Sequence, residues 1–73
     1  MKTYKSIYND NYVKRVCLIA AHDQAEAESL AYESECGYLT NGTPFYPNAE
    51  DFFVTEIKGV FSRVKEAGIV ECI

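Results

Sequence analysis

The spacing of hydrophobic residues changes from strand-like to helical at Asp23. Before it, Tyr12 to Ala21 forms the longest candidate strand, and from Val16 onward both of its faces are apolar, which predicts a central position in a sheet. After it, small and apolar residues recur at helical intervals at Ala27, Leu30, Ala31 and Ser34. The pattern predicts a strand that leads directly into a helix with a narrow face suited to close packing on a sheet.

Both ends of this helix carry recognisable signals. Asp23 occupies the N-cap position, and Glu26 three residues later completes an acidic capping-box pattern, so that carboxylates meet the free N–H groups of the first turn. Gly37 is a natural residue to follow the last turn. The sequence predicts a helix over residues 24–36.

Further strands are predicted on both sides of the helix. Thr3 to Tyr8 forms a hairpin with the following strand across the turn residues 9–11, and Phe52 to Ile57 has high β propensity. Lys65 to Gly68 resembles a hairpin turn that joins strands over 60–64 and 69–73. The fold class predicted is α+β, with one helix packed on a small antiparallel sheet of four or five strands in the order β-β-α-β-β-β. Residues 38–51 are predicted to form a long irregular connection.

A helix over 59–67 is the alternative for the C-terminal part. Val60, Phe61, Val64 and Ala67 fit one helical face, and residues 63–71 resemble the recognition-helix-to-wing junction of winged-helix domains. Arg63 and Lys65 would then contact DNA. Gly59 disfavours a helix by about 1 kcal/mol, and a β-rich N-terminal part is not the winged-helix order.

Size and composition indicate one globular domain over residues 1–73. No apolar run approaches the ~20 residues that a membrane span needs, and the polar segment from Met1 to Lys5 lacks the apolar core of a signal peptide. We therefore expect a cytoplasmic protein that does not enter a membrane.

Candidate catalytic and metal-binding residues are sparse. Cys17, Cys36 and Cys72 show no C-x-x-C spacing, which predicts reduced thiols with no disulfide and no zinc site; Cys17 is expected in the core and Cys36 near water. His22 is the one histidine, and its place beside Asp23 indicates a helix-cap or solvated side chain. We expect no catalytic residue, cofactor or metal; a small thiol-dependent or metal-binding protein that uses Cys36 or His22 is the alternative.

Charge is unevenly distributed along the chain. Residues 1–22 carry a net +3 and residues 52–73 are balanced, whereas residues 23–51 carry seven acids and no base. Helical geometry places two pairs of glutamates on either side of Tyr32, on the face turned away from the small-residue stripe. These residues, aided by Tyr46 in the following loop, are predicted to bind a basic protein partner rather than nucleic acid: Glu26, Glu28, Tyr32, Glu33, Glu35 and Tyr46.

The segments "LIAAHDQAEAESLA" and "FFVTEIKGV", in this order after a hairpin, resemble small proteins of phages and mobile elements of the DpnD/PcfM-like type. Residues 16–31 and 52–59 carry the resemblance. Several anti-CRISPR proteins are similar in size and architecture, and they inhibit by occupying the surface of a CRISPR effector. The resemblance implies a non-enzymatic interaction module of a phage or mobile element, in its sharpest form a stoichiometric inhibitor of a CRISPR effector complex.

Overall fold

A computed structural model describes residues 1–60 and 64–73, with no account of the side chain of Val60. The elements in this part of the chain follow in the order β1 (Lys2–Asn9), β2 (Lys14–Ala21), α1 (Gln24–Glu35), β3 (Gly37–Tyr38), β4 (Pro44–Phe45), a single 3-10 turn (Ala49–Asp51), β5 (Phe52–Val60) and β6 (Gly68–Cys72). No helix in the described ranges has the length and apolarity needed to cross a membrane.

Four strands form one antiparallel sheet in the order β5-β1-β2-β6, and β3 with β4 forms a second, two-stranded sheet. Helix α1 packs on the larger sheet, chiefly over β5 and β2. The predicted α+β class with one helix on a small antiparallel sheet is confirmed, as is the central place of β2.

The core lies between α1 and the middle of the sheet. Tyr4 of β1 and Ile19 of β2 are directly paired, and both are buried against Ala27 and Ala31 of the helix. Because alanine side chains are small, the helix backbone can lie close to these two larger side chains. Leu30 is half-buried and packs against this core, whereas Ser34 is exposed, so the predicted packing face of the helix lacks only Ser34.

The β1–β2 hairpin turns around Asp10. One carboxylate oxygen of Asp10 accepts hydrogen bonds from the backbone N–H groups of Tyr12 (2.7 Å) and Val13 (2.6 Å). Because the N–H groups of Tyr12 and Val13 bond to Asp10, they do not pair with β1. β2 therefore begins at Lys14, two residues later than the pattern predicts.

Helix α1 begins where its capping signal places it. Asp23 is the N-cap, and its Oδ1 accepts a hydrogen bond from Glu26 N–H at 2.8 Å. The helix ends at Glu35, one residue earlier than predicted, because Cys36 already has extended backbone angles. Gly37 follows Cys36 as predicted, but its φ is not positive and it begins β3 rather than closing a left-handed cap.

The predicted irregular connection contains local order. Backbone bonds from Leu39 N–H to Thr43 O (2.8 Å) and from Gly42 N–H to Leu39 O (2.9 Å) close the β3–β4 hairpin. Gly42 has φ 84°, a left-handed angle that few other residues adopt. The 3-10 turn that follows is capped by Asn48, whose side chain accepts from Glu50 N–H at 3.0 Å.

The strand predicted over 69–73 is confirmed as β6, but its predicted pairing with a strand over 60–64 is wrong in the described residues. β6 pairs with β2, whereas Val60 belongs to β5 at the opposite edge of the sheet and Val64 belongs to no strand. Gly59, with φ 130°, lies in a bulge where Lys2 pairs with Val60 and Thr3 with Ile57, which lets β5 continue. The alternative helix over 59–67 is also wrong at 59–60 and at 64–67; residues 61–63, including Arg63, lie outside the described residues.

The expectation of three reduced thiols is wrong as well. Cys17 and Cys72 are directly paired across β2 and β6, and they form a disulfide. The bond joins residues 55 positions apart, a proximity set by sheet topology that spacing along the chain does not reveal. Cys17 is buried as predicted, but as half of a disulfide, and Cys36 is a free, half-buried thiol.

Reduction of Cys17–Cys72 should destabilise the fold and loosen β6. Closing a loop of 55 residues restricts the unfolded chain by about 4 kcal/mol in the chain-entropy model. We expect a reductant, or the paired substitution Cys17→Ser with Cys72→Ser, to lower the melting temperature and to speed amide exchange in β6. Cys36→Ser serves as the control and should leave the response to reductant intact. Alkylation of three thiols in the unreduced, unfolded chain would show that the bond is absent.

Candidate functional site

The outer surface of α1 does not present four equivalent glutamates. Glu28 and Glu33 are exposed, whereas Glu26 and Glu35 are partly buried and bound by basic groups from elsewhere in the chain. The predicted set therefore divides into two carboxylates available to a partner and two that stabilise the protein itself.

Glu35 is held by Arg15 of β2. Both carboxylate oxygens accept hydrogen bonds from Nη1 of Arg15, one of them at 2.6 Å, and the Glu35 side chain is only 8% exposed. The Arg15 side chain is 42% exposed and turns back onto the end of the helix. A buried carboxylate needs such a partner, since an uncompensated buried charge is costly. The expectation that Glu35 projects into solvent is wrong.

Glu26 is bound by His22, the residue before the N-cap. Its Oε1 lies 2.8 Å from the backbone nitrogen of His22 and 2.8 Å from the ring Nδ1. These two hydrogen bonds hold the pKa of the Glu26 carboxyl below its ordinary value, the backbone bond contributing more. The reciprocal half of the capping box thus reaches His22 instead of Asp23. His22 is a solvent-exposed residue at the helix cap, as predicted.

Tyr32 lies against the sheet. It is half-buried, and its ring centroid is 5.9 Å from that of Phe52 at the start of β5. The expectation of a tyrosine standing exposed between two rows of glutamates is wrong, because the helix rests closer to β5 than the helical pattern alone can show. Tyr32 also lines two hollows in the protein surface.

Two adjoining hollows meet at Glu28 and Tyr32. The first, of about 210 Å³, lies between α1 and β5 and is also lined by Ala49, Phe52 and Val54. The second, of about 390 Å³, lies along the helix and is also lined by Ala25, Ser29 and Glu33. We call this pair of hollows the helix groove. Every residue that lines it is acidic, aromatic, aliphatic or, at Ser29, a hydroxyl.

Gln24 fixes one side of the helix groove. Its Nε2 donates to the carbonyl oxygen of Val54 at 2.7 Å and to Oε1 of Glu28 at 3.0 Å, which ties the first turn of α1 to β5 and orients the Glu28 carboxylate. Neither Gln24 nor Phe52 is singled out by sequence pattern, because their role depends on a contact between segments some 30 residues apart.

Tyr46 does not join this groove. It is 70% exposed and lines a separate cleft beside the β1–β2 turn, together with Tyr8 and Tyr12. The structure thus brings Glu28, Tyr32 and Glu33 together and leaves Tyr46 at another surface.

Few of the described residues are arranged for catalysis or metal binding. The Cys36 thiol donates to the carbonyl oxygen of Tyr32 at 3.4 Å, and within residues 1–60 and 64–73 no three side chains of His, Cys, Asp or Glu converge as a metal-binding group. Comparisons with protein-family models, curated proteins and solved structures give no match for this chain. The site is therefore interpreted from its own geometry.

The buried phenol of Tyr8 should ionise at a higher pH than an ordinary tyrosine, because of its acidic surroundings at the turn. Its hydroxyl donates to Oδ2 of Asp10 at 2.6 Å; this bond, burial and the negative charges of Asp10, Glu35 and Asp51 raise the pKa of Tyr8 from 10.0 to about 12. Folding favours the protonated phenol, so its contribution to stability is complete below pH 10 and is lost as pH rises through about 12.

Absorbance titration of tyrosinate should show this late-ionising component in the wild type and not in Tyr8→Phe, which keeps the ring packed on Phe52 at 4.7 Å. The unfolding free energy of Tyr8→Phe should also fall less steeply above pH 10. If the substitution instead removes a component that titrates near 10, the hydrogen bond to Asp10 does not hold in solution.

Proposed function

We propose that this protein is a non-enzymatic interaction module that binds a basic protein surface through the helix groove. The observation that carries the proposal is the meeting of two hollows at Glu28 and Tyr32. Glu33 also lines them, and none of the lining residues in the described part of the chain is cationic. An aromatic side chain bordered by carboxylates in a concave surface suits a lysine or arginine side chain, whose stem packs on the ring while its charge meets the carboxylates.

The distribution of ion pairs supports the same surface. Arg15 forms an ion pair with Glu35 and His22 hydrogen-bonds Glu26, so the chain supplies partners for the two glutamates that its own packing partly buries. In the described part of the chain, Glu28 and Glu33 have no ion pair. Their charge remains available to a partner, and like-charge repulsion within the helix would be relieved by binding.

The narrower form of the proposal takes the partner to be a CRISPR effector complex in the host cytoplasm, whose basic nucleic-acid groove this chain occupies stoichiometrically. Its support is the resemblance in size and architecture to phage and mobile-element proteins. The Cys17–Cys72 disulfide counts against a cytoplasmic location and so against the narrower form, because disulfides persist mainly in oxidising compartments. The broader proposal does not depend on the compartment, since the groove acts by charge and shape.

Charge reversal in the helix groove should weaken partner binding while the fold persists. We expect Glu28→Lys with Glu33→Lys to weaken binding by at least about tenfold, ~1.4 kcal/mol, because both side chains are exposed and outside the core. Glu66→Lys with Glu71→Lys makes the same change in net charge at two exposed positions elsewhere and should bind as the wild type does.

A photo-crosslinking residue at the exposed position Ser29, introduced in the native host, identifies the partner, and the affinity of each purified variant for it is then measured. For the narrower form, wild-type chain expressed in a CRISPR-immune host should restore phage infection and the groove variant should not. Unchanged immunity across system types would contradict the narrower form alone. Equal affinity of both double variants for the crosslinked protein would contradict the groove as the binding surface.

A further inference from the structure

A second concave surface lies beside the β1–β2 turn, where the segment after β4 folds against it. This cleft has a volume of about 550 Å³, and its lining combines aromatic rings with carboxylates and three asparagines. The rings and carboxylates that matter here are Tyr8, Tyr12, Phe45, Tyr46, Asp10 and Asp51. We call it the turn cleft.

Two of its aromatic residues expose most of their surface. Tyr12 is 93% exposed and Tyr46 is 70% exposed, while Tyr8 is buried at the base on Phe52. The backbone N–H of Tyr12 donates to Asp10, which holds the Tyr12 backbone in the turn and leaves its ring open to a ligand. Exposed aromatic faces around a hollow are the arrangement that attracts a cation through the ring quadrupole.

The electrostatic surroundings favour the same kind of guest. None of the nine lining residues is Lys, Arg or His, and the pKa of Asp10 is lowered by the Tyr8 hydroxyl and by the N–H groups of Tyr12 and Val13, so its carboxylate stays ionised. The pKa of Tyr8 is raised first by its hydrogen bond to Asp10 and by burial, and then by the negative charges of Asp10, Glu35 and Asp51 around the base of the cleft.

The hydrogen bonds that Asp10 already accepts favour an organic cation over a metal ion in this cleft. Three donors already occupy Asp10: the Tyr8 hydroxyl on one oxygen and two backbone N–H groups on the other. A metal ion needs several converging ligands, and in the described part of the chain no three Asp, Glu, His or Cys side chains come together to hold one. An alkylated ammonium group requires aromatic faces and a negative field and donates no hydrogen bond when fully substituted.

We propose that the turn cleft binds an alkylated ammonium group, with the cation over the rings of Tyr12 and Tyr46 and its charge balanced by Asp51 and Asp10. Such a group occurs in small quaternary amines and in methylated lysine side chains. The turn cleft is separate from the helix groove, and this proposal does not depend on the proposed function.

The test is a titration of the chain of residues 1–73, with its Cys17–Cys72 disulfide intact, in which NMR monitors the aromatic ring resonances. The probes are tetramethylammonium chloride, choline, a short peptide containing trimethyl-lysine, and 3,3-dimethylbutan-1-ol, the neutral carbon analogue of choline. We expect the three cations to shift the resonances of Tyr12 and Tyr46 with saturation, and the neutral analogue to bind at least about tenfold more weakly. Tighter binding of the peptide assigns the source to a methylated side chain, and tighter binding of choline assigns it to a small molecule.

Three variants locate the cation. Tyr12→Ala, Tyr46→Ala and Asp51→Asn should each weaken choline binding several-fold, while Tyr38→Ala, which removes a tyrosine that is 80% exposed outside the cleft, should not. The double variant Glu28→Lys with Glu33→Lys should bind the cations as the wild type does. Equal binding of the neutral analogue, absence of saturable shifts, or wild-type affinity in all three cleft variants would overturn the proposal.

Discussion

The close approach of α1 to the sheet determines the rest of the structure. Ala27 and Ala31 are buried directly over the paired residues Tyr4 and Ile19, and their small size sets the distance between helix and sheet. Leu30, Phe52 and Val54 pack against the same cluster, and a chain of 73 residues buries only a small core, so this interface contributes much of the stability. It also fixes the rotation of the helix, and thereby which glutamate meets which partner.

That rotation explains why four glutamates with regular spacing have different surroundings. Glu35 comes over β2 and meets Arg15, which is directly paired with Tyr8 in the sheet. Glu28 faces β5 across Gln24. Helical periodicity could predict that all four leave the core face, but it could not predict the counter-charges, because Arg15 belongs to a strand 20 residues earlier. The acidic middle of the chain is therefore partly neutralised by its N-terminal third.

The same division between local and distant signals runs through the fold. Asp23 as N-cap, the β1–β2 hairpin and the strand from Phe52 were predictable, since each depends on neighbours within a few positions. The placement of β6 beside β2, and with it the Cys17–Cys72 bond, depends on which sheet edge remains open after β5 has paired with β1. Of the candidate site, the exposure of Glu28 and Glu33 was predictable from helical spacing, whereas the packing of Tyr32 on Phe52 and the bond from Gln24 to Val54 required the tertiary contact.

The most direct test of this account is the unfolding free energy of Ala31→Leu compared with that of Ala25→Leu. Both substitutions introduce the same side chain into α1, and leucine is nearly as good a helix former as alanine. Ala25 is exposed, so its variant should be close to the wild type, whereas Ala31→Leu forces the helix away from Tyr4 and should lose about 1–3 kcal/mol. Equal stability of the two variants in denaturant titrations would contradict the claim that the alanine face sets the packing of the molecule.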